Sequence, residues 1–161
     1  VKSDTIIAKV LSDKGSPFLR SIIINKGSKH KINLGMIAMD EEYLVGKVVE
    51  VNYLSSRVLL LSDLNSKIPV IVEPNEIFSI LSGTGNENGV IQYSKKYEDI
   101  KTDSIIYTSG AGNLFKAGIP IGKINNSNLS EEKKVDFFSD FSQLRFVKVI
   151  SFMKNEAKWQ I

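Results

Sequence analysis

Short runs of branched aliphatic residues recur about every ten residues along this chain, and that spacing restricts it to a fold of many short strands. The runs are Thr5–Leu11, Arg20–Asn25, Met36–Met39, Leu44–Val51, Arg57–Leu61, Ile68–Val72, Ile77–Leu81 and Val90–Tyr93, followed by Ile105–Thr108, Pro120–Ile124, Lys134–Phe138 and Phe146–Phe152. Turn residues separate them, as in Asp13-Lys14-Gly15-Ser16-Pro17, Ser62-Asp63 and Asn86-Glu87-Asn88-Gly89. Composition points the same way, with 20 Ile and 13 Val against 5 Ala. Branching at Cβ restricts a side chain in a helix and suits the pleated face of a strand. The expected class is all-β, with the strands closing into barrels.

One segment reads two ways. Asn128-Leu129-Ser130-Glu131 has the form of a helix capping box ahead of Glu132–Phe141. Val135, Phe137, Ser139 and Phe141 nevertheless share one parity, which favours a strand at 134–138. A weak internal repeat is also visible. Leu44-Val45-Gly46-Lys47-Val48 follows Ile32–Met39 as Pro120-Ile121-Gly122-Lys123-Ile124 follows Ile100–Tyr107.

The six runs between residues 36 and 94 suffice for one small barrel, and six lie outside it. We therefore expect a first barrel from 1–35 plus 95–161, with a second barrel of 36–94 inserted. Charge divides at the same points. Residues 36–94 carry 3 basic and 8 acidic side chains, a net −5, and the remainder carries 18 basic and 10 acidic, a net +8.

Catalytic and cofactor chemistry find little purchase. The chain lacks cysteine, so disulfides and thiolate metal sites are excluded. Its one histidine, His30, stands between Lys29 and Lys31 and reads as a solvated turn residue rather than the base of a triad. Asp40-Glu41-Glu42 lacks the alternating ligands and central glycine of a calcium loop. Neither Gly83-Thr84-Gly85 nor Ser109-Gly110-Ala111-Gly112-Asn113 continues into the Gly-Lys-Ser/Thr of a phosphate loop. We expect no enzyme activity, no cofactor and no metal.

The net charge of +3 raises nucleic acid as a partner, and a single-stranded nucleic-acid-binding barrel is the alternative reading. Of the 21 basic residues, however, only 3 are arginine, the side chain best suited to phosphate and base edges. No apolar run approaches the ~20 residues that span a bilayer. The chain begins with Val1 rather than Met, and we expect a piece of a longer protein.

Four blocks carry a family resemblance. They are Arg20–Ser28 with Ile32-Asn33-Leu34-Gly35-Met36; Leu44–Val51; Ser56–Val70; and Thr108–Phe115 with Gly118–Ile124. In this order and spacing the chain resembles the bacterial rod-shape family MreC, over about residues 5–152. It departs from the family at His30-Lys31, where an Asp-Gly-like pair is common. It departs also at Leu64 and Lys116, where proline is common, and at Lys67, where arginine is common.

The resemblance implies two small six-stranded β-barrels, distantly chymotrypsin-like. It implies a non-catalytic scaffold of the cell-wall elongation complex that maintains rod shape and activates the elongation penicillin-binding protein. RodA, MreD and the actin-like MreB are the further partners implied, with self-association into oligomers or filaments. The implied place is periplasmic, on an inner-membrane protein whose cytoplasmic tail, membrane helix and coiled coil precede the barrels.

Docking needs apolar residues without a strand role. Leu114 and Phe115 lie between Gly112 and Gly118, either as an exposed tip or with Phe115 folded back as a barrel plug. Tyr93, Tyr97 and Tyr107 are further contact candidates, since aromatics with a polar end suit interfaces.

Overall fold

The computed structural model describes residues 4–11, 20–92, 97–113, 115–125 and 132–151. Among these residues twelve strands appear, each within a few residues of an apolar run. In the first half these are β1 (Asp4–Leu11), β2 (Ser21–Ile24), β3 (Ile37–Asp40), β4 (Tyr43–Val51), β5 (Ser56–Leu60) and β6 (Lys67–Glu73). In the second half they are β7 (Ile77–Gly83), β8 (Gly89–Gln92), β9 (Ile105–Thr108), β10 (Pro120–Ile124), β11 (Lys134–Phe137) and β12 (Phe146–Ser151). The ambiguous stretch is a strand at Lys134–Phe137, where Val135 is buried and Lys134 and Asp136 are half-buried. The four residues of its capping box lie outside the described residues.

The strands close into two antiparallel barrels. Barrel one has the order β1-β12-β3-β4-β5-β2 and barrel two the order β10-β11-β8-β7-β6-β9. Barrel two is thus inserted whole between β5 and β12. The pairing of Asp4 with Ser151 brings the two ends of barrel one together across that insertion.

The expected boundaries need correction, because β3, β4 and β5 belong to barrel one and β9, β10 and β11 to barrel two. Six consecutive runs do not make a barrel here. The crossing falls at 61–66, after β5, and the charge division at 36 and 94 cuts through both barrels.

The internal repeat marks equivalent places instead. Gly46 sits in β4 between β3 and β5, and Gly122 in β10 between β9 and β11. A Cβ on Gly46 would lie 2.2 Å from the Leu59 carbonyl oxygen, and one on Gly122 would lie 2.2 Å from that of Asp136. Each barrel needs a bare backbone there so that the neighbouring strand can approach. A bulge accompanies each site, between Ala38 and Met39 and between Pro120 and Gly122.

Alternation builds the cores. Ala8, Ile22, Ile24, Val48, Val58, Val147 and Val149 fill barrel one. Val70, Val72, Ile77, Leu81, Ile91, Ile106, Ile121 and Val135 fill barrel two. Ile37, Met39 and Leu44 of barrel one pack into the cluster of barrel two, so the junction is apolar and continuous with its core.

Polar contacts fix the junction. Ser139 Oγ donates to Asp40 Oδ2 at 2.6 Å, and the Tyr43 and Phe138 rings lie 5.1 Å apart. At the crossing, the buried Asp63 carboxylate accepts the Arg20 amide at 2.7 Å and the Asn65 amide at 2.8 Å. The Arg20 Nε also donates to Ser62 Oγ at 3.0 Å.

Candidate partner-binding surfaces

An apolar stripe crosses four strands on the outside of barrel two. Register places Phe78 opposite Ile71, Ile71 opposite Tyr107, and Tyr107 opposite Pro120. Direct cross-strand partners share a face. Since Val70, Val72, Ile77 and Ile106 point inward, this row points out. Phe78 is 65% exposed, and Ile71, Tyr107 and Pro120 are half-buried. A second row, Ile80 opposite Pro69, widens the patch. Charge rims it. Lys67 donates to Ser82 Oγ at 3.2 Å, and Lys123 lies 4.0 Å from Asp103. An apolar centre with an aromatic anchor and a charged rim has the anatomy of a protein interface.

Barrel one carries a smaller patch. Lys9 pairs with Phe146, Ile7 with Lys148, and Leu11 with Ile23. Ile7, Leu11 and Phe146 are exposed there among Lys9 and Lys148.

The residues expected from sequence meet different fates. Phe115 is 5% exposed and packed in the core cluster of barrel two, so the exposed-tip expectation is corrected. It closes the side of a small void of about 160 Å³ with Lys47, Val49, Leu59, Leu61 and Ile68, at the meeting of the two barrels. Burying a phenyl ring there removes far more apolar surface from water than a loop tip gains by exposing it. Leu114 and Tyr93 lie outside the described residues, and of Tyr97 only the backbone, in a 3₁₀ turn at Tyr97–Asp99, is described. Tyr107 alone stands on a described patch.

Phe78, Ile71 and Pro120 were missed, although their signal is in the sequence. Ile68–Val72 and Ile77–Leu81 are apolar at both parities, whereas a strand with one solvated face alternates.

A polar cleft of about 840 Å³ lies beside the connection from β11 to β12, with Arg20, Asn86, Lys134, Asp136, Phe137 and Phe141 in its wall. Phe137 and Phe141 stack at 4.9 Å. Asp140 caps the 3₁₀ turn Phe141–Gln143. Its Oδ1 accepts from the Ser142 hydroxyl at 2.6 Å and the Ser142 amide at 3.0 Å. These bonds, the hydroxyl first, hold the Asp140 carboxyl below its ordinary pKa. His30 is half-buried and serves its own loop, its Nδ1 accepting the Gly27 amide at 3.1 Å. Among the described residues, His, Asp and Glu nowhere gather in a group of three fit for a metal ion.

Comparison with known proteins follows this geometry closely. The model of the family "Rod shape-determining protein MreC, barrel core" matches residues 10–151. The chain belongs to the MreC family. The cell shape-determining protein MreC of Cereibacter sphaeroides is 32% identical over 88% of this chain and 47% of its own length. That of Caulobacter vibrioides is 32% identical over 90% of the chain and 42% of its own length. The chain thus spans rather less than half of these MreC relatives. The solved MreC of Pseudomonas aeruginosa superposes with a TM-score of 0.81 at 30% identity, covering 92% of this chain and 99% of that one. MreC is a family of shape-determining structural proteins, and the double barrel described above is its fold.

Proposed function

We propose that this chain is the extracytoplasmic, non-catalytic docking module of a cell-wall elongation scaffold. In this proposal the Phe78–Ile71–Tyr107–Pro120 stripe binds the elongation penicillin-binding protein. The observation that carries it is that stripe, a wide apolar face on the outside of a closed barrel, in a chain of the MreC family. A solved complex between a Penicillin-Binding Protein (PBP2) and the MreC of Helicobacter pylori supports the choice of partner. That MreC shares the fold with a TM-score of 0.67 at 14% identity.

Closed barrels suit this task, because they hold a docking face rigid while leaving few free strand edges. Contacts with RodA, MreD and MreB, and the membrane tether, belong in this reading to the longer protein. Self-association through the barrels accompanies them.

The test is a binding titration of this chain against the periplasmic part of the elongation penicillin-binding protein. A Phe78→Ser change removes the anchor without touching the core, and hot-spot aromatics are worth about 2 kcal/mol or more. We expect affinity to fall by at least about tenfold with an unchanged circular-dichroism spectrum. Full affinity in the variant excludes the stripe as the docking face.

A further inference from the structure

Barrel one has two unlike ends. The chain leaves it for barrel two from the end where β5 finishes and returns where β12 begins. Antiparallel register puts the other end where β2 and β4 finish and where β3 and β5 begin. Among the described residues two loops lie at this far end, 25–36 between β2 and β3 and 52–55 between β4 and β5. They are joined, since the Ser28 amide donates to the Asn52 carbonyl at 2.9 Å and the Lys29 amide to that of Tyr53 at 3.0 Å.

Their chemistry is one-sided. The loops hold Lys26, Lys29 and Lys31 and no carboxylate. Among the described residues these lysines enter no ion pair, and the nearest acidic side chain along the chain, Glu50, is held by Arg57 at 3.5 Å. The acidic cluster Asp40-Glu41-Glu42 lies at the opposite end, and at this end Asp4 begins β1 outside the two loops. The same loops expose large apolar side chains, with Leu34 at 66%, Tyr53 at 65% and Leu54 at 57%. Isolated apolar residues on a surface are ordinary. Tyr53 and Leu54, adjacent at the tip of one hairpin and beside three lysines that enter no ion pair among the described residues, are not isolated.

We infer that this end of barrel one rests on an anionic phospholipid surface. Leu54 and the Tyr53 ring enter the headgroup boundary, and Lys26, Lys29 and Lys31 lie over the lipid phosphates. Tyrosine suits that boundary because its ring is apolar and its hydroxyl stays wet. The lysines favour lipid over a protein partner. Lysine is depleted in protein interface cores, whereas near an anionic leaflet each lysine is worth about a fivefold gain in binding. A tip made of hairpin loops offers a protein partner no flat face, but a fluid surface closes around it. β1 begins and β12 ends toward this same end.

The experiment is vesicle co-sedimentation of the whole chain at low and high salt. One set of vesicles contains about one-third phosphatidylglycerol, the other only phosphatidylcholine. We expect binding to the anionic vesicles alone, weakened at high salt. Two double variants divide the contributions. Lys26→Glu with Lys29→Glu should lower binding by at least about tenfold. Tyr53→Ser with Leu54→Ser should lower it and move the residual binding to full salt sensitivity. All four side chains are exposed or half-buried, and circular dichroism verifies that each variant folds. Equal sedimentation with both vesicle types overturns the inference, as does unaltered binding of either variant. Capture by polyglutamate without capture by vesicles also overturns it, in favour of an acidic protein. These residues lie on a different barrel from Phe78, so this test and the docking test fail independently.

Discussion

At the scale of single residues, the crossing between the barrels hangs on Asp63. It is 2% exposed, and its two oxygens take the amides of Arg20 and Asn65. Replacing it with alanine takes the acceptor from two part-buried amides, and hydrogen bonds to a charged group are worth about 1.5–3 kcal/mol. Asp63→Ala should therefore lower the urea-derived unfolding free energy by about 2 kcal/mol or more. Asp140 offers a finer test. Its carboxyl titrates below the ordinary 3.8 because the Ser142 hydroxyl and amide favour the ionised form. The folded pKa is depressed, so the stability from this contact is complete above the unfolded value and is lost as pH falls through the folded one. In a carboxyl-carbon NMR titration, Ser142→Ala should move the Asp140 midpoint up toward 3.8 without reaching it, since the backbone donor remains. An unmoved midpoint would remove the hydroxyl as the main cause.

Strands and their connections were the most legible part of the chain. Period-two apolar runs bounded by Gly, Asn and Asp leave a small barrel few other options, and each of the twelve runs overlaps a strand. Their assignment to barrels was not legible, because strand order is set by which edges remain open once the chain has doubled back. The Gly46 and Gly122 repeat held the clue, as it marked one equivalent strand in each barrel. Phe115 was equally ambiguous. A Gly-flanked aromatic reads alike as tip or plug, and only the fold around it decides. Phe115→Ala should destabilise the protein by about 3 kcal/mol, the low end for such a truncation, because the neighbouring void already leaves the ring incompletely packed. A thermal midpoint within a degree of the parent would mean that the ring is not holding the barrels together.

At the scale of the molecule, Ile37, Met39 and Leu44 reach from barrel one into the core of barrel two. Two domains joined by so dry a contact should lose structure together. We expect one calorimetric transition whose van't Hoff and calorimetric enthalpies agree. Two resolved peaks would show the junction too weak to couple the barrels. In the proposed scaffold a single rigid body would keep the Phe78 face and the Tyr53 loops at a fixed separation and angle.

The position of β12 sets the order in which the protein can be made. Barrel one stays open between β1 and β3 until Phe146–Ser151 has been synthesised, after every residue of barrel two. A nascent chain therefore carries a finished barrel hanging from an unfinished one, with two raw edges waiting for their missing staple. Ribosome stalling or proteolysis just after Asp140 should release sticky, strand-hungry fragments rather than a smaller working protein. A synthetic peptide with the β12 sequence, supplied in trans, should rescue them by slotting into the gap.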